Sequence, residues 1–182
     1  MTVTRGRVCV LAAALLAFSA GGCFPPMTVQ VAYPKGAETQ GLRRASIDVH
    51  LVGVPESAYS QWHGLDVTDY FEKPDSERPP ATKRVLLFGE GKEDEQVLVR
   101  SDSIWASWQQ EKVAYLFILA NLPGDWKARP GAGDPRRVIL RLNSDCWPDY
   151  FVWDKKTIYV TICRGGLKFF YPGTMRGDAT PQ

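Results

Sequence analysis

The sequence predicts a mainly all-β protein, an antiparallel β-sandwich with one or two short helical insertions. Apolar residues alternate with polar ones in short stretches through residues 46–171, and turn-forming residues separate the stretches. One run, VAYLFILA (113–120), is apolar throughout, as expected of a strand covered on both faces. No helical period in this span lasts more than about three turns, so any helix in it depends on tertiary packing.

Taken in order, TVQVAY (28–33) predicts a short strand within a tether. SIDVHLVGV (46–54) places Ile47, Val49 and Leu51 on one face and Asp48 and His50 on the other. Pro55-Glu56 opens a short helix running through Trp62 and His63, and Gly64 ends it. EKPDSERPPATK (72–83) is a polar, proline-rich surface loop. RVLLF (84–88) and QVLVR (96–100) flank GEGKEDE, which reads as a charged hairpin loop. Ser101 or Asp102 caps a second short helix carrying Ile104, Trp105 and Trp108. VILRL (138–142), TIYVTIC (157–163) and LKFFY (167–171) complete the strands. The organisation that follows is an export signal over 1–22, a tether over 23–45, a sandwich over 46–171 and a flexible tail over 172–182.

The charge balance narrows the function. Twenty-two basic residues against 20 acidic ones give a net charge of +2, and no basic face stands out, so a nucleic-acid partner is not expected. A chain of 182 residues is one folded module rather than a multidomain enzyme.

The first 23 residues, MTVTRGRVCVLAAALLAFSAGGC, join a basic start (Arg5, Arg7) to an apolar run from Val8 to Phe18. Small residues follow, then Cys23. The run is too short to span a hydrocarbon core of about 30 Å, so it reads as a signal peptide. The stretch Ala20-Gly21-Gly22-Cys23 resembles the processing site of bacterial lipoprotein precursors, with Ala20 where that family more often has Leu. The resemblance implies cleavage before Cys23 and acylation of its thiol and new amine. Several acyl chains hold a protein on a membrane where one would not. Phe24 rather than Asp after the cysteine implies an outer-membrane destination facing the periplasm in a Gram-negative host. Removing residues 1–22 takes away two arginines and no acid, leaving 20 charges of each sign.

Of four cysteines, Cys9 leaves with the signal and Cys23 carries lipid, so Cys146 and Cys163 remain to pair in an exported domain. A hairpin turning at Asp154-Lys155 would set Trp153 against Lys156, Phe151 against Ile158 and Cys146 against Cys163. The cysteines then fall on a non-hydrogen-bonded site, where side chains are closest. Closing that loop would stabilise the fold by about 3 kcal/mol.

Signs of catalysis are sparse. His50 and His63 have no cysteine or paired carboxylate at ligand spacing, so no metal or other cofactor is expected. His50 reads as a polar-face strand residue and His63 as a cation ending a helix. No serine sits in a G-x-S-x-G motif, and the glycines of GEGKED and PGAGDPRR (130–137) lack the spacing of a phosphate cradle. The carboxylates of Asp66 and Asp69, and of Glu93 to Glu95, read as solvated. An enzyme is not expected, and no catalytic residue is named.

Aromatic residues are the more informative feature. Tyr59, Trp62, Tyr70 and Phe71 lie in one insertion, Trp105 and Trp108 in the other, and Trp147, Tyr150, Phe151 and Trp153 in the hairpin. Most are read as core. The first four are the candidate partner surface, where Trp and Tyr serve as anchors.

The order of features is an acylated cysteine, a tether, a strand, a long insertion, a central apolar strand and paired terminal strands. In this layout residues 46–171 resemble the type VI secretion lipoprotein family of the TssJ type. The resemblance implies a transthyretin-like sandwich on the outer membrane that grips an inner-membrane partner, with residues 55–83 as the binding loop. The alternative is a lipid-anchored ligand- or glycan-binding module that uses its loop aromatics.

Overall fold

The computed structural model describes residues 26–34, 45–127, 129–142 and 157–170. Eight strands form two four-stranded sheets: β1 (Thr28–Ala32), β2 (Ile47–Pro55), β3 (Lys83–Phe88), β4 (Glu95–Leu98), β5 (Val113–Ala120), β6 (Arg137–Arg141), β7 (Thr157–Cys163) and β8 (Gly166–Phe170). One sheet has the order β3-β2-β5-β6 and is antiparallel throughout. The other has the order β4-β1-β7-β8, and β1 runs parallel to β7. The mainly antiparallel sandwich is as expected. β1 is an interior strand of its sheet, so the folded body reaches back to the buried Met27.

The alternating patterns explain the core between the sheets. Val29 and Val31 of β1 and Ile158, Val160 and Ile162 of β7 face Ile47, Val49 and Leu51 of β2 and Leu116, Ile118 and Ala120 of β5. The helix α3 (Ile104–Gln110) closes this core, burying Ile104, Trp105 and Trp108, which its period puts on one side. Asp102 meets the expectation of a cap, since its Oδ1 accepts from the Ile104 amide at 3.0 Å.

One pairing differs from expectation. β3 and β4 are not a hairpin, because they belong to different sheets, and the charged loop carries the chain across the sandwich. Both strands put apolar residues into the shared core, Leu86 and Phe88 from one and Leu98 from the other. β7 is flanked by β1 and β8, so residues 159–161 are paired on both edges. The ladder expected with residues 146–153 lies outside the described residues. Cys146 lies outside the described residues, and Cys163 ends β7, half-buried.

Gly53 packs directly against the Trp108 ring. A Cβ there would lie 2.4 Å from the indole of Trp108, whose Nε1 donates to Thr82 O at 2.9 Å. Gly53→Ala must displace that ring, and an overpacked core of this kind costs about 1–3 kcal/mol. Denaturant unfolding of the variant should show the loss.

Candidate functional site

The first sheet is apolar on its outer face as well. Val52 and Val54 of β2 and Phe117 and Leu119 of β5 point away from the inter-sheet core and need a second cover. The insertion between β2 and β3 supplies it. A 3-10 turn (Glu56–Ala58) leads into α1 (Tyr59–His63), followed by α2 (Val67–Glu72) and another 3-10 turn (Asp75–Glu77). Trp62, Val67 and Tyr70 drop from these helices onto the sheet and form a second core.

This settles where the four candidate aromatics lie. Trp62 and Tyr70 are buried at 1% exposure, so neither is a surface residue. Their rings fill the gap between helix and sheet, with Trp62 6.1 Å from Phe117 and 5.8 Å from Tyr70. Tyr59 and Phe71 stay half-buried at the margin. Tyr59 stacks on Tyr115 at 4.4 Å, and Phe71 lies 5.0 Å from His50. Trp105 and Trp108 are buried in the main core, while Cys23, Trp147, Tyr150, Phe151 and Trp153 lie outside the described residues.

Helices of five and six residues cannot hold themselves, and their ends show what does. Asp66, expected as a solvated carboxylate, is the N-cap of α2 and accepts from Thr68 N at 2.7 Å and Asp69 N at 3.3 Å. Arg78 collects the far end of α2, donating to Lys73 O at 3.0 Å and Phe71 O at 3.2 Å, while its guanidinium lies 4.9 Å from the Tyr70 ring. Arg137, the first residue of β6, does the same for α1. It donates to Trp62 O at 3.1 Å, to His63 O at 2.8 Å and to Leu65 O. Burial lowers the Arg137 pKa, and the nearby carboxylates of Asp134 and Asp66 oppose that. Gly64 follows α1 as expected, but with φ −78°, so it ends the helix without a left-handed turn.

Arg136 anchors the neighbouring loop. It is buried, pairs with Asp134 through Nε (3.1 Å) and Nη2 (2.8 Å), and donates to Thr68 Oγ1 of α2 at 3.0 Å. Burial alone would raise the Asp134 pKa, but the Arg136 guanidinium and amide hold it below the usual carboxylate range. At Gly131 (φ 60°) a Cβ would lie 2.3 Å from His63 Nε2, so only glycine lets this loop meet α1.

His50, expected as a polar-face strand residue, is buried. The insertion covers it, and its Nδ1 shares a 2.8 Å hydrogen bond with the Tyr70 hydroxyl. Burial, then the charges of Lys83 and Arg78, push its pKa down to about 4, and burial raises Tyr70 to about 12. The pair stays neutral and serves as a polar pin between sheet and cover. Among the described residues no three His, Cys, Asp or Glu side chains are placed to hold a metal.

A groove of about 460 Å³ opens where the cover meets the loop after β5. It is lined by Thr68, Phe71 and Glu72 of α2, by residues 121–126 and by Arg136. The burial of Arg137 was not legible in PGAGDPRR, since its acceptors lie 72 to 75 positions earlier in the chain, and the reach of Arg136 to Thr68 spans 68 positions.

No family model matches the chain, and no curated protein matches it. Solved structures do. The chain is similar to the type VI secretion lipoprotein TssJ1 from Pseudomonas aeruginosa, at 13% identity and a TM-score of 0.45, covering 81% of this chain and 97% of that one. It is similar to the membrane-bound type VI secretion component Lip of Serratia marcescens, at 12% identity and a TM-score of 0.47, with 81% and 97% covered. A chain described as the TssM C-terminal domain from EAEC matches at 11% identity and a TM-score of 0.46, with 79% and 96% covered. No residue role is transferred from any of them.

Two predictions test the cover. Arg137→Met strands three helix-end carbonyls and should cost about 2–4 kcal/mol, with faster proteolysis within 56–72. Arg137→Lys should recover only part, because an ammonium cannot fork across three acceptors. The His50 pKa is lower folded than unfolded, so as pH falls from about 6.5 to about 4 the unfolded chain takes up a proton that the folded one refuses. Stability should fall by up to about 3 kcal/mol over that window, and His50→Gln should lack this component in unfolding curves taken across it.

Proposed function

We propose that this chain is a lipid-anchored envelope protein, acylated at Cys23, that docks an assembly of the type VI secretion kind through protein–protein contacts. The anchor faces the periplasm from the outer membrane, and the partner is an inner-membrane component of that assembly. The observation that carries this reading is the cover over residues 56–82. It is a long excursion between successive strands, yet two arginines and a buried aromatic layer hold it in one shape. A preformed surface binds with less ordering cost than a mobile loop. The lipoprotein-like start of the sequence and the layout of its strands support the same reading, which involves no covalent chemistry. Glycan binding through loop tryptophans is weakened, because Trp62, Trp105 and Trp108 are buried.

Crosslinking the acylated chain in its host envelope, followed by purification in detergent and mass spectrometry, tests the proposal. A large inner-membrane secretion component should be recovered, and Cys23→Ser should move the protein out of the membrane fraction and abolish the recovery. Capture of envelope glycans alone, or of no protein, would sink the tether.

A further inference from the structure

We propose that the groove between α2 and the loop 121–126 binds an extended protein segment in which Lys or Arg alternates with aliphatic residues. The inference relies on the tether reading only for which protein carries that segment. The groove's volume of about 460 Å³ is that of a binding cleft for a few side chains. Its lining includes the apolar side chains of Phe71, Leu122, Pro123 and Trp126 among more polar surface. The Trp126 indole N–H is already committed to Leu122 O at 3.0 Å, so the ring offers its surface rather than a donor.

Charge selects the occupant. Glu72 and Asp125 line the groove, both exposed and neither in an ion pair among the described residues. The one cation in the lining, Arg136, is 3% exposed, is bound two-pronged by Asp134, and lies 5.6 Å from the Trp126 ring. Its charge is therefore spent inside the protein, and a ligand meets two carboxylates beside those apolar side chains. Lys and Arg suit both, with aliphatic stems for the apolar side chains and cationic heads for the carboxylates. An anionic segment meets two like charges and no free cation in the lining. Asn121, also in the lining and exposed, adds an amide able to bond an extended backbone.

The test uses the full acylated chain in a nonionic detergent and a fluorescein-labelled peptide alternating Lys and Arg with Leu. Its anisotropy should rise to saturation, while a matched peptide with Glu at every basic position should give no rise. The double substitution Glu72→Lys with Asp125→Lys, both at exposed positions, should weaken binding about tenfold with the thermal melt unchanged. Raising NaCl from about 0.05 M to about 0.5 M should weaken it for the native chain. Equal binding of both peptides, binding of neither, or an affinity indifferent to the double substitution would overturn the proposal. Peptide failure with envelope capture intact removes the groove and leaves the tether; capture failure with peptide binding intact does the reverse.

Discussion

A sheet whose two central strands are apolar on both faces cannot stand at a surface. β2 and β5 pair along most of their length, and each sends one row of side chains into the sandwich and the other row outward. The second sheet satisfies the inner row. The outer row has to be covered by something, and the chain covers it at once, with the residues between β2 and β3. The insertion's position, its aromatic content and the unusual ends of its helices follow from that constraint.

The aromatic content follows because one short layer must fill the space over Val52, Val54, Phe117 and Leu119, and Trp62 and Tyr70 do so with few residues. The helix ends follow because helices this short leave most of their carbonyls without an internal donor. Arg78 and Arg137 gather those carbonyls, and Asp66 gathers the amides at the other end. Burying a guanidinium is unfavourable in isolation. Here it is offset by donors aimed at carbonyls that the fold would otherwise strand. The groove is a by-product of the same arrangement, because Arg136 fastens α2 to the next loop at Thr68 and leaves a cleft beside the bond.

What the sequence made legible was whatever depends on neighbours along the chain. β2, β5, β7 and β8 fall within a residue of the stretches expected for them, β5 from its unbroken apolar run, and Asp102 caps its helix from two positions before Ile104. What escaped depends on distant partners. Nothing local tells RVLLF and QVLVR that they join different sheets, since the inward rows look alike in either case. The helix Val67–Glu72 does carry a local signal, since Asp66 before Val67, Tyr70 and Phe71 is a cap followed by a helical spacing. In the candidate site Tyr59 and Phe71 keep some surface, but Trp62 and Tyr70 could be placed only once the outer face of β2 and β5 was known to need them.

β1 sits between β4 and β7, and Met27 just before it is buried. Under the proposed acylation, only the few residues between Cys23 and Met27 separate the anchor from the sandwich. Four residues at full extension reach about 14 Å. A lipid on Cys23 would hold the folded body against the headgroups with little room to swing. Any gap to a partner rooted in the opposite membrane would have to be crossed by that partner.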